Sequence, residues 1–186
     1  MSALILGHKN PDSDSIISAI ACAHLYKQRG LDVVPAAQGT PAPETAFILE
    51  RFGLEAPEIV TSVAGRDVYL VDYSDKAQAP ADIDECNLKG IVDHHKLGDV
   101  TSTAPLECII WTAGCTNTIL KRMYDYMGFE IPRTQLFPAA LFLHEYAPQG
   151  FRVVWLCFKT YKLSKLRVGV PVKISVSYTH LRAHET

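Results

Sequence analysis

Three short apolar runs, each stopping at a polar and chemically capable residue, constrain this chain more than any other feature. Ala3-Leu4-Ile5-Leu6 ends in Gly7-His8, Val68-Tyr69-Leu70-Val71 runs into Asp72, and Gly90-Ile91-Val92 runs into Asp93-His94-His95. Runs this short, apolar at consecutive positions, read as strands covered on both faces, which is the condition of a parallel sheet. The segments between them carry helical patterns. After the loop Lys9-Asn10-Pro11-Asp12-Ser13-Asp14, Ser15 opens a helix whose apolar residues from Ile16 to Tyr26 share one stripe, with Gly30 as its stop. Asp32 to Ala37 reads as a second strand and Pro43 to Phe52 as a second helix ending at Gly53. A last strand, Leu106 to Trp111, precedes a helix that starts around Gly114-Cys115-Thr116-Asn117-Thr118 and ends at Gly128. Strands alternating with helices predict an α/β fold, a mostly parallel sheet with helices on both faces, whose ligands sit beyond the carboxyl ends of the strands.

Composition narrows the partners. With 186 residues, 48% apolar and 20% charged, the chain has the makings of one compact unit with a real core. Lys and Arg number 18 against 20 Asp and Glu, a balance that offers nothing to a nucleic acid or a membrane surface. Five cysteines without a C-x-x-C pair suggest neither a disulfide framework nor a thiolate zinc site, and they suit a reducing compartment. The N-terminus lacks a basic segment and turns polar by His8, so no signal peptide is expected, and a soluble, cytoplasmic protein is.

The averages conceal a break near residue 134. Before Gln135 there are 11 basic and 18 acidic residues, and after it 7 basic and 2 acidic, with no Asp beyond Asp125. We therefore divide the chain into a domain over 1–134 and an atypical tail over 135–186. The tail has no sustained helical period and reads as a frame-shifted or appended product, or else as a basic C-terminal subdomain. Its one short alternation, Val168 to Val176, could be a strand.

The strand ends carry the chemistry. His8, Asp12 and Asp14 follow the first strand, Asp72 the third, and Asp93, His94 and His95 the fourth, so the predicted sheet gathers them from distant positions. Carboxylate and imidazole donors without thiolate suit Mn2+, Mg2+ or Co2+. Two such ions sharing a carboxylate can acidify a water and clamp a phosphoryl group. Cys22 and Cys108, within apolar segments, read as core residues, and Tyr124, Tyr126 and Met127 as packing. The helix start at Thr116 reads equally as a phosphate-binding N-terminus or a plain cap.

Gly7-His8-Lys9-Asn10-Pro11-Asp12-Ser13-Asp14-Ser15-Ile16, the strand ending at Asp72, Val92-Asp93-His94-His95 and Gly114-Cys115-Thr116-Asn117-Thr118 together resemble the family II, manganese-dependent inorganic pyrophosphatases of the DHH phosphoesterase superfamily. The resemblance covers residues 1–134 and implies a DHH phosphoesterase domain. It implies that His8 and Asp12 hold one Mn2+, that Asp14 and His94 hold the other, and that Asp72 bridges them. His95 would face the substrate phosphate, and Asp93 would be a metal-site residue or lie just behind it. In that family a metal-bridging hydroxide attacks pyrophosphate, Mg2+ accompanies the substrate, Co2+ can stand in for Mn2+, and two orthophosphates leave. A homodimer remains open.

Two departures from the family pattern matter. Asp72-Tyr73-Ser74-Asp75 stands where the family reads Asp-His-Asn, which touches only a contact behind the ligands. The family's further bridging Asp, in a Ser-Asp-Thr setting, and its C-terminal domain with Lys and Arg substrate ligands are missing from these 186 residues. His144 and Glu145 occupy the altered stretch and are read as part of the tail rather than as replacements. The expectation is a pyrophosphatase by family and little or no activity from this chain alone. The alternatives are a DHH phosphodiesterase acting on oligonucleotides or cyclic dinucleotides, and a non-catalytic metal-binding fragment.

Overall fold

The fold is taken from a computed structural model, which describes residues 1–131. The tail, the boundary at 134 and the strand expected around Val168 lie outside the described residues. In chain order the elements are β1 (Ala3–Leu6), α1 (Ser13–Gln28), β2 (Val33–Ala37), α2 (Pro43–Phe52), β3 (Glu58–Ile59) and β4 (Asp67–Val71). Two single-turn 3-10 helices, Lys76–Gln78 and Ile83–Glu85, lead to β5 (Asn87–Asp93), β6 (Glu107–Ile110) and α3 (Thr116–Met127). The strands form one sheet in the order β3-β2-β1-β4-β5-β6, and each neighbouring pair is parallel.

Alternation along the strands divides the core. Ile5, Val71 and Val92 face one side, where they pack with Ala19, Cys22 and Leu25 of α1 and with Ile119, Leu120 and Met123 of α3. Leu4, Leu6, Leu70 and Ile91 face the other side and meet Val63, Tyr73, Ala79 and Ile83. Helix α2 joins the first side, with Ile48 and Leu49 against Ile16, Ile17 and Ala37. Among the described residues, then, the α-helices cover one face, while the second face is closed by the 3-10 turns and their loops. Pro80, which cannot continue a helical hydrogen-bond ladder, lies between those turns and helps keep them short.

Several local expectations change. Helix α1 starts at Ser13 rather than Ser15, with Asp12 as its N-cap accepting a hydrogen bond from the Ser15 amide at 3.0 Å. Asp14 is thereby a first-turn helical residue and not part of the loop. Strand β3 was not expected, since its two exposed residues carry no periodic signal. Cys22 is buried as expected, but Cys108 is exposed because β6 is the edge of the sheet. Tyr124 is buried, whereas Tyr126 is 92% exposed. No helix among the described residues is long and apolar enough to cross a membrane.

The turn from β1 into α1 sets the position of the site, and Gly7 is what lets it close. A Cβ at Gly7 would collide with the Ser15 hydroxyl and lie 2.7 Å from the Ser15 carbonyl oxygen. A Gly7→Ala variant is expected to lose about 1–3 kcal/mol of stability, because backbone on both sides has to shift. Urea unfolding of the two proteins side by side measures this, and an unchanged midpoint would contradict the close approach.

Candidate metal centre

Strand β1 lies between β2 and β4, so the order of the sheet reverses there, and parallel sheets bind ligands at such a crevice. His8 lies two residues beyond β1, Asp72 directly follows β4, and His94 and His95 follow β5. The start of α1 swings back over the same edge and brings Asp12 and Asp14 to it. Asp72 adopts a left-handed backbone with φ of 69°, a conformation that Asp tolerates better than most residues.

The side chains converge on Asp72, which is 1% exposed. Its Oδ2 is 3.4 Å from His8 Nε2, and its Oδ1 is 3.4 Å from His94 Nε2 and 3.9 Å from His95 Nδ1. His8 Nε2 also lies 3.6 Å from Asp12, and His94 Nε2 lies 3.7 Å from Asp14. Two trios of side chains could therefore hold a metal ion, His8-Asp12-Asp72 and Asp72-His94-His95, and Asp72 is common to both. Asp14 stands beside the second trio, through His94.

The hydrogen bonds behind the imidazoles suit them to metal binding. His8 Nδ1 is 2.8 Å from the Lys9 carbonyl oxygen, and His94 Nδ1 is 3.0 Å from that of Ala113. A carbonyl only accepts, so each Nδ1 carries the proton and each Nε2 is the atom turned to the carboxylates. Burial pushes the His8 imidazole down, but its contacts with Asp12 and Asp72 outweigh this and raise it to about 11. For His94 burial is likewise overcome, by the hydrogen bond to Asp72 and the charges of Asp14 and Asp72, and it rises to about 9. Burial also opposes ionisation of Asp72, yet His8 and His94 hold its carboxyl well below the usual range. Burial and the Asp72 charge push Asp14 upward. Crowded carboxylates with imidazole nitrogens and no thiolate fit a divalent cation of the Mn2+, Mg2+ or Co2+ kind, whose charge lets the acids ionise together.

Asp93 occupies a different position. It is fully buried, and its Oδ1 accepts from the His95 backbone amide at 3.1 Å and from His95 Nδ1 at 2.8 Å. Its Oδ2 accepts from the Ser74 hydroxyl at 3.0 Å, and that hydroxyl in turn accepts from the Gly98 amide at 2.9 Å. Asp93 belongs to neither trio and acts on His95 instead. His95, 44% exposed on its side chain, keeps Nε2 available to a ligand outside.

Comparison with known proteins decides the family. The model of the DHH family, N-terminal domain, matches residues 2–142. The chain belongs to the DHH family. A "probable manganese-dependent inorganic pyrophosphatase" of Archaeoglobus fulgidus is 45% identical over 141 residues, which are 69% of this chain and 44% of that protein. A protein of the same description from Brevibacillus brevis is 40% identical over 132 residues, 70% of this chain and 43% of the relative. Among solved structures, a Methanococcus jannaschii protein assigned to the family II inorganic pyrophosphatases superposes with a TM-score of 0.66 at 35% identity, over 77% of this chain and 47% of the other. The chain thus spans less than half the length of the curated relatives it matches.

In this DHH domain the start of α3 is capped from a distant part of the chain. The amides of Thr116 and Asn117 donate to Asp14, at 2.7 and 3.2 Å, a residue more than a hundred positions away. Asn117 Nδ2 adds a third bond to Asp14 at 2.6 Å, and the Thr116 hydroxyl donates to Asp72 Oδ1 at 2.8 Å. Sequence reasoning missed Ser74, Thr116 and Asn117 as members of the centre. Thr116 and Asn117 carried a signal as a helix start, and Ser74 carried one as a departure from the family pattern.

Proposed function

We propose that this DHH domain is the metal-holding part of a manganese-dependent inorganic pyrophosphatase, which splits pyrophosphate into two orthophosphates. The observation that carries the reading is that the two oxygens of Asp72 face imidazoles from opposite sides, as a carboxylate shared by two ions would. In this reading His8 and Asp12 hold one Mn2+, Asp14 and His94 hold the second, and Asp72 serves both. When bound, a pair of divalent ions supplies charge neutralisation on the phosphoryl group and an acidified water. His95 meets a phosphate oxygen of the substrate through its outward nitrogen, and Asp93, backed by Ser74, keeps that ring in one orientation. Mg2+ enters with pyrophosphate, and Co2+ can replace Mn2+. The protein is read as cytoplasmic, with a homodimer as its possible assembly.

These 186 residues lack the family's Ser-Asp-Thr carboxylate and its basic substrate ligands, so binding of the ions and turnover separate. The chain alone is expected to bind Mn2+ and to release phosphate from pyrophosphate at less than about a tenth of the rate of the intact Archaeoglobus fulgidus relative, because ligands that act as a unit fail together. Phosphate release under Mn2+, compared between the two proteins, tests this. A rate within tenfold of the relative's would overturn the reading of the chain as incomplete for catalysis. Release of nucleotides from a dinucleotide, with none of phosphate from pyrophosphate, would replace the pyrophosphatase by a phosphodiesterase.

A further inference from the structure

The contacts that the start of α3 makes with Asp14 fall on one side of the centre. Asp14 Oδ2, the oxygen 3.7 Å from His94, accepts from the Thr116 amide, while Oδ1 takes both donors of Asn117. The Thr116 hydroxyl donates to Asp72 Oδ1, which faces His94, and Asp72 Oδ2, which faces His8, receives nothing from α3 among the hydrogen bonds described. On the opposite side Asp12 is tied to its own helix, through the Ser15 amide, and its side chain is 62% exposed. Asn117 Oδ1 is buried without a hydrogen-bond partner among the described residues.

We propose that Asn117 is a positioning residue that sets the affinity of the ion on the His94 side, and that the ion on the His8 side is indifferent to it. The inference rests on the metal-binding reading above. Its physical basis is that a carboxylate already fixed by donors at the start of a helix presents one lone pair in a set direction. It then loses little rotational freedom when an ion arrives. Asp14, which serves the His94 side alone, has that support from α3, and Asp12, its counterpart on the His8 side, does not, while the Thr116 hydroxyl holds Asp72, which serves both.

The test is a Mn2+ titration of the full chain, read from the electron paramagnetic resonance signal of the free ion. The His8→Gln background leaves the His94 side, and the His94→Gln background leaves the His8 side. In the first, Asn117→Ala, which removes the 2.6 Å bond to Asp14 and keeps the backbone amide, is expected to weaken Mn2+ by about 10- to 100-fold. In the second, Asn117→Ala changes the affinity by less than about threefold. Asn117→Ser and Asn117→Ala are both followed by circular dichroism, so that either folded variant carries the test. An equal loss in both backgrounds, or no loss in either, overturns the positioning role and leaves the metal reading standing. Failure of the unsubstituted chain to bind Mn2+ overturns the metal reading, and the inference with it.

Discussion

An Asp72→Asn variant is expected to lose Mn2+ at both positions, by more than about 100-fold in affinity, while remaining folded. Removal of a group behind a ligand typically costs 10- to 100-fold, and Asp72 is itself common to both trios, so its loss exceeds that range. Asn has nearly the same shape and tolerates the left-handed backbone that Asp72 adopts at φ 69°. It can still accept the hydrogen bond from Thr116, but it brings no charge to His8 or His94. Calorimetric titration with Mn2+, alongside circular dichroism of the metal-free protein, reads binding and fold separately. Retention of one tight ion in the folded variant would show that Asp72 is not shared.

The second large effect is on pH. Without an ion, His8 is raised to about 11 and His94 to about 9, from an ordinary 6.5. Both raised groups bind protons in the folded chain that the unfolded chain releases above 6.5. Their contribution to stability is complete below 6.5 and disappears as pH rises through about 9 and then about 11. Metal binding works in the opposite sense, because an ion needs a neutral Nε2 and must displace its proton. Apparent Mn2+ affinity is therefore expected to rise about tenfold per pH unit for each ion between pH 6 and 8, with about one proton released per imidazole. Titrations at pH 6, 7 and 8 measure the slope, and repetition in buffers of different ionisation heat counts the protons. A flat profile would mean that His8 and His94 are not ligands.

Much of this centre was legible before any coordinates. Apolar runs ending at His8, Asp72 and Asp93 read as parallel strands because consecutive apolar residues are what burial on both faces requires. The structure places β1, β4 and β5 at those runs. The start of α1 was misread by two residues. Ser13 and Asp14 look like loop residues because they are polar, yet both are buried, and what pays for that is remote: Thr45 for the Ser13 hydroxyl, at 2.8 Å, and the α3 amides for Asp14. Cys108 looked like core in an apolar strand and is exposed, because a strand does not itself reveal whether it lies at an edge.

The sequence by itself determined the strand ends, the helix stops and the kinds of donor that meet at the crevice, and the family resemblance followed from motifs that are each short and continuous in the chain. Periodicity, caps and turn residues are local, so a local pattern encodes them. Only the tertiary structure decided that Asp72 turns one oxygen to His8 and the other to His94, that Asp93 serves His95 with Ser74 behind it, and that Asp14 caps a helix 102 residues away. Those contacts depend on how α1 and α3 lie against Ile5, Val71 and Val92, and the burial of that shared core, rather than any short stretch of chain, fixes the distance between their first turns.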